Sequence, residues 1–186
     1  MNFISIDPGT HSGWAIFHQG RYWQSGVVRI TSTKGALAIA NIVSMALQFK
    51  LDFAVIEDSY PGGWRDNIGI YHPASYQTGK AIGIRRGQWE QEIRKAGIKI
   101  ITLKPSQWQK VIHIKGFKAK RMLLKKLSLD LASQKAGKPI TDENEADAIC
   151  MGIYCLTKPS MCVKSNNYED SNCNLQIDQR FIQRIR

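Results

Sequence analysis

Paired Cys-x-x-Cys spacing is missing from this chain. Its four cysteines, Cys150, Cys155, Cys162 and Cys173, all fall late and at irregular intervals, which argues against a thiolate zinc site and leaves Cys150 as a core residue. The four histidines, His11, His18, His72 and His113, are scattered, and none falls in a motif that requires a histidine ligand. No apolar run is long enough to span a bilayer, and Met1 leads directly into strand-like residues with no signal peptide, so no membrane association and an intracellular, reducing setting are expected. Internal repeats and low-complexity tracts are also lacking. Acids are scarce: 15 Asp and Glu stand against 26 Lys and Arg, for a net charge of +11. Between Glu92 and Asp130 there is no acid, while Arg94, Lys95, Lys99, Lys104, Lys110, Lys115, Lys118, Lys120, Arg121, Lys125 and Lys126 fall in that interval. A single lysine there reads as part of a solvated helix face. The block as a whole reads as phosphate contact, because arrays of Lys and Arg gain affinity by displacing counterions from a polyanion. Charge alone does not separate DNA, RNA and an anionic membrane.

Set against this shortage, the placement of the acids that are present is informative. Phe3, Ile4 and Ile6 favour a strand that delivers Asp7 into the turn Pro8-Gly9, and Gly13-Trp14-Ala15-Ile16-Phe17 resumes strand-like composition. Asp-Pro-Gly is also an ordinary turn tripeptide. A second apolar run, Phe53 to Ile56, ends in Glu57-Asp58 before the loop Ser59-Tyr60-Pro61-Gly62-Gly63-Trp64. The third acidic segment, Asp142-Glu143-Asn144-Glu145-Ala146-Asp147, reads as the start of a helix that Thr141 can cap, with an apolar stripe at Ala146, Ile149, Cys150 and Ile153. Acids in a first helical turn complement the helix dipole. That explanation covers Asp142 and Glu143 better than Asp147, which flanks the stripe.

Three carboxylates from separate parts of a basic chain suit hard divalent cations, which prefer oxygen ligands. Two Mg²⁺ or Mn²⁺ ions about 4 Å apart can activate a water and stabilise a leaving 3′ oxygen in phosphodiester chemistry. Without cations, clustered acids repel one another and raise their own pKa values.

In the order strand Asp-Pro-Gly, strand Ile-Glu and late helix Glu-Ala-Asp-Ala, the sequence resembles the RuvC-type Holliday junction resolvases of the RNase H-like (retroviral integrase) superfamily, from about Met1 to about Leu156. The resemblance implies catalytic, metal-binding roles for Asp7, Glu57 and Asp147. The family's fourth ligand, three residues before the last Asp and commonly Asp or His, falls here on Asn144, whose amide oxygen carries no charge. Glu143, at i,i+4 to Asp147, is the alternative auxiliary ligand. Gly116-Phe117-Lys118-Ala119-Lys120 resembles the family's Gly-containing segment leading into a lysine-bearing helix, which implies phosphate contacts, and a place in the catalytic centre, for Lys118 or Lys120. Lys110, Lys115 and Arg121 would add DNA contacts. An aromatic three residues beyond the catalytic Glu helps open the junction in the family. That position is Tyr60, with Trp64 as the alternative, and stacking on a base is worth roughly 1–3 kcal/mol. Short length and the departures from the cellular pattern suggest a phage or mobile-element version.

The length and a hydrophobic content of 43% with five Trp suit one packed α/β domain. Strands are expected near residues 2–7, 13–18, 22–30, 52–57 and 98–103, and helices near 34–50, 74–96, 105–112, 118–135 and 142–157. The fold expected is α/β, an RNase H-like mixed five-stranded sheet with helices on both faces. Residues 1–157 would form the nuclease domain, and 158–186 a polar, basic, flexible tail with a short amphipathic end. The function expected is a metal-dependent endonuclease that resolves four-way DNA junctions by paired nicks, with two Mg²⁺ or Mn²⁺ ions per site, branched DNA as partner and a homodimer matching the junction's near two-fold symmetry. The rivals are a nuclease for forks, flaps or RNA-DNA hybrids, and a junction-binding protein without catalysis. An actin-like ATPase also opens with an Asp-Gly strand turn, but 186 residues are few for its two-lobed form.

Overall fold

The computed structural model describes residues 1–30, 33–58, 64–65, 70–72, 75–112 and 121–162. In chain order the elements are β1 (Phe3–Asp7), β2 (His11–His18), β3 (Arg21–Arg29), α1 (Thr33–Leu47), β4 (Phe53–Glu57), the short strands β5 (Trp64–Arg65) and β6 (Tyr71–His72), α2 (Tyr76–Lys95), β7 (Ile100–Leu103), α3 (Pro105–Trp108) with a 3-10 turn at Gln109–Val111, α4 (Arg121–Ala136), α5 (Glu143–Thr157) and α6 (Pro159–Cys162). The main sheet has the order β3-β2-β1-β4-β7. β1 pairs antiparallel with β2 and β2 with β3, whereas β1 pairs parallel with β4 and β4 with β7. The β2–β3 hairpin closes on Gln19 and Gly20, both at positive φ (52° and 72°), which matches the right-handed twist of the flanking strands. The mixed five-stranded sheet with helices on both faces, expected from the sequence, is present.

Because side chains alternate along a strand, each strand feeds two cores. Ile4 and Ile6 of β1, Trp14 and Ile16 of β2 and Ala54 and Ile56 of β4 join Ile39 and Val43 of α1 and Trp89 and Ile93 of α2. Each large aliphatic side chain fully buried there stabilises the fold by about 1.5–3 kcal/mol. Phe3, Ala15, Phe17, Phe53 and Val55 turn the other way and pack with α3, α4 and α5. On that face Phe3 stacks on Phe17 of β2 and on Phe53 of β4, at centroid distances of 4.8 and 5.0 Å, so one aromatic row crosses three strands at their lower end. α5 lies directly on this row. A methyl group built at Gly152 would come within 1.9 Å of the Phe17 ring, so only a residue without a side chain lets the helix come so near the strand.

Several boundaries differ from the sequence expectation. α5 is capped by Asp142, whose Oδ1 accepts from the backbone N–H groups of Asn144 and Glu145 at 2.8 and 3.2 Å, and not by Thr141. A carboxylate one residue closer to the first turn both caps it and complements its dipole. The expected helix 105–112 divides into one α turn and a 3-10 turn. α1 ends at Leu47, and Lys50 takes positive φ before β4. The pair β5–β6 and helix α6 were not expected, the latter lying within the stretch read as a flexible tail. Residues 118–120 of the expected fourth helix and residues 163–186 of the expected tail lie outside the described residues.

Candidate active site

Asp7 is the last residue of β1, two positions beyond Ser5 and four beyond Phe3, so the strand's alternation aims it at the α4/α5 face. Glu57 ends β4 with the same phase, following Phe53 and Val55. The parallel ladder brings Ile6 opposite Ile56, which sets the two carboxylates on adjacent strand ends. Asp147 comes down onto them from the second turn of α5. Its height above the sheet is set by two contacts. The buried Ser5 hydroxyl donates to the carbonyl of Ala148 at 2.7 Å, tying β1 to the residue beside Asp147. Gly13, the ladder partner of Asp7, lies under the start of α5, where a Cβ would fall 1.8 Å from the Asn144 carbonyl oxygen.

The three acids act on one another electrostatically. Burial, and after it the charges of Glu57 and Asp147, push the Asp7 carboxyl well above the usual carboxylate range, and Asp7 and Glu57 are in hydrogen-bond contact. Burial likewise pushes Asp147 up to about 6, and the charges of Glu57 and Glu143 act in the same direction. A hydrogen bond from Ser128 and the charge of Lys125 oppose that rise. Two donors fix the carboxylates from behind: the Trp108 indole N–H donates to Glu57 Oε1 at 2.8 Å, and the Ser128 hydroxyl donates to Asp147 Oδ1 at 2.7 Å. On the opposite face Arg86 of α2 bonds Asp58 at 2.6 Å, Glu90 at 2.8 Å and Thr102 at 3.2 Å, which pins the chain just past Glu57.

The remaining expected residues are distributed unevenly. Asn144, half-buried, turns its amide toward the capping Asp142, donating to Oδ1 at 3.3 Å. Glu143, half-exposed, is paired with Lys125 of α4. Each auxiliary candidate therefore has a protein partner of its own. Lys110 and Arg121 are exposed, at the 3-10 turn after α3 and at the start of α4. Trp64 lies in β5. Tyr60, Lys115, Lys118 and Lys120 lie outside the described residues. Cys150 is wholly buried one turn from Asp147, with its thiol pushed up to about 12 by burial, in keeping with a core role.

Sequence reasoning passed over Trp108, Ser128, Ser5 and Gly13. Ser5 is visible as a polar residue between two isoleucines, in phase with Asp7. Trp108 follows Pro105 at a helix start, where an aromatic with one polar atom is a signal for a buried donor. Ser128 and Gly13 carry no local signal, because their importance comes from the helix packed against them.

Among the described residues, no three His, Cys, Asp or Glu side chains close into a formed metal cage. Asp7, Glu57 and Asp147 satisfy themselves on each other, on Trp108 and on Ser128. The residues nonetheless fit a hard divalent cation. The donors are all carboxylate oxygens, and their mutual repulsion in a buried setting is relieved by either a bound proton or a bound cation.

No family model matches the chain, and no curated protein matches it. Solved structures do. RuvC of Thermus thermophilus in complex with a Holliday junction substrate matches with a TM-score of 0.61 and 17% identity, covering 87% of this chain and 96% of that one. A second Thermus thermophilus RuvC structure matches with a TM-score of 0.62 and 19% identity, covering 87% and 97%. At such identity the likeness establishes the fold.

Proposed function

We propose that this protein is a metal-dependent, structure-selective endonuclease that resolves four-way DNA junctions by paired nicks. The observation that carries the proposal is the convergence of Asp7, Glu57 and Asp147 from β1, β4 and α5 on one face of the sheet, where burial and the charge of Glu57 raise the pKa values of Asp7 and Asp147. The shared fold with a resolvase solved in complex with a Holliday junction substrate supports the choice of substrate, and the net charge of +11 suits a nucleic acid.

In this reading Asp7, Glu57 and Asp147 would hold two Mg²⁺ or Mn²⁺ ions, with Asn144 or Glu143 as the auxiliary ligand. The ions would supply Lewis-acid stabilisation of the phosphate and a nucleophilic water at neutral pH. The protein's part is to gather and orient the three carboxylates, whose ionised forms a bound cation would favour. Ser128 favours the charged form of Asp147 by donating to it, and Lys125 does so through its positive charge. Lys110, Arg121 and the lysines 115, 118 and 120 would neutralise the junction's phosphates, and Tyr60 or Trp64 would stack on a base at its centre. Two active sites in a symmetric dimer would meet the two-fold symmetry of the junction. The site of action would be wherever the cell holds that DNA.

The test is cleavage of a labelled immobile four-way junction beside matched duplex, fork and RNA-DNA hybrid, in Mg²⁺, Mn²⁺ or EDTA. Symmetric nicks in the junction alone, dependent on the metal, are expected. Preferential cutting of the fork or hybrid would move the function within the fold. Tight junction binding with no cutting in any metal would overturn the nuclease reading.

A further inference from the structure

Glu57 is a ladder partner of Leu103, the last residue of β7. Two residues later Pro105 opens α3, and Lys104 and Gln107 close its first turn, with the Lys104 backbone N–H donating to Gln107 Oε1 at 2.8 Å. That turn reverses the chain beneath the strand end. It brings Trp108, five residues past the ladder partner of Glu57, back to the Glu57 carboxylate. The indole is 1% exposed and packs in the core beneath α4 and α5. Its one polar atom donates to Glu57 Oε1 at 2.8 Å. Tryptophan has a single donor and no acceptor, and a buried ring has no freedom to turn that donor elsewhere.

We infer that Trp108 is a positioning residue for the metal centre: its indole N–H holds Oε1 of Glu57 from behind, so that the carboxylate stays turned toward Asp7 and Asp147. The inference rests on the metal-binding part of the function proposed above. Its physical content is pre-organisation. A glutamate has three side-chain torsions, and a glutamate free to rotate at a strand end would lose that freedom each time a cation bound. With Oε1 committed to a rigid donor, the loss is already incurred on folding. Donors behind metal-ligating groups act in this way, and removing one typically lowers metal affinity 10–100-fold. Ser128 occupies the equivalent place behind Asp147, so each of these two carboxylates has its own fixed donor.

The experiment uses the full chain, ¹⁵N-labelled, with Trp108→Phe as the principal variant because phenylalanine keeps an aromatic ring while removing the N–H together with part of the indole's volume. The chain holds five Trp, and the indole signal absent from the Trp108→Phe spectrum is that of residue 108. Glu57→Gln is expected to move this signal without metal, and Mg²⁺ is expected to move it in the wild type. Calorimetric titration should show Mg²⁺ binding to Trp108→Phe about tenfold weaker or worse, with the amide spectrum still that of the folded protein. A Trp108→Tyr variant, whose hydroxyl can donate from a similar ring, should recover part of the affinity, and it keeps the test open should phenylalanine unsettle the fold. An indole signal indifferent to Glu57→Gln, or wild-type Mg²⁺ affinity in folded Trp108→Phe, would overturn the inference. Junction cutting by the wild type, measured alongside, reads the nuclease proposal separately. Mg²⁺ binding weakened by Trp108→Phe in a protein that cuts no junction upholds the role of Trp108 and overturns the nuclease reading. Junction cutting with unchanged Mg²⁺ binding in the variant does the reverse. A wild type that takes up no Mg²⁺ overturns both.

Discussion

On β1, Ile4 and Ile6 point one way into a core closed by α1 and α2, while Ser5 and Asp7 point the other way toward α5. The same five residues thus supply two environments. The α1/α2 face holds isoleucines and tryptophans that make few directional demands, and volume and shape decide its stability. The α4/α5 face begins as an aromatic row at Phe17, Phe3 and Phe53 and ends, at the other end of the strands, in three half-buried carboxylates. Each turn of α5 above that row is located by something specific: Asp142 at its cap, Gly13 and Ser5 beneath its first turns, Gly152 over Phe17. The difference shows that an acid site inside a sheet protein is held by close backbone approach and hydrogen bonds, whereas the apolar face needs only to be filled.

The comparison breaks most sharply at Asp7. Asp7→Asn should lower junction cutting by on the order of 10³-fold while leaving binding of the junction and the fold intact, read by cleavage and by gel mobility shift. Loss of folding instead would mean that the carboxylate is structural. Gly13→Ala comes next. Its methyl group meets the Asn144 carbonyl oxygen at 1.8 Å, so the first turn of α5 must lift. A loss of about 1–3 kcal/mol or more in urea unfolding is expected, together with weakened metal uptake because Asp147 rises with the helix.

A third difference is pH dependence in the metal-free protein. Asp147 is pushed up from 3.8 to about 6, so between those values the folded chain keeps a proton that the unfolded chain has released. Stability must therefore fall as pH rises through that window, by up to about 3 kcal/mol from this group, and stay low above it. Asp7 shifts in the same direction. Urea unfolding in EDTA across pH 4–7 should show this slope reduced in Asp147→Asn, and Mg²⁺ should offset the loss above pH 6. The smallest effect belongs to the other face. Ile4→Val should cost about 0.5–1.5 kcal/mol and leave metal binding and cutting unchanged, since Ile4 meets only the α1/α2 core.

The strands and their two-sided burial were legible in the sequence, because alternation and terminal acids are local patterns. So were the three carboxylates, each closing or flanking an apolar run. What could not be read were the partners that only tertiary packing supplies. Ser128 lies nineteen residues from Asp147, and Trp108 fifty-one from Glu57. Asn144 ranks over Glu143 by the family resemblance, and the structure gives each a partner, Asp142 for one and Lys125 for the other. The helix cap lies one residue later than expected, on Asp142, because threonine and aspartate are both good caps and local sequence does not separate them.

The central claim is that Asp7, Glu57 and Asp147 act as one metal centre. Its most direct test is calorimetric titration of Mn²⁺ into the wild type and into Asp7→Asn, Glu57→Gln and Asp147→Asn, each checked for an unchanged fold. Saturable binding is expected in the wild type, and every one of the three variants should abolish it or weaken it by at least about tenfold. Wild-type binding retained in any folded variant would contradict the claim.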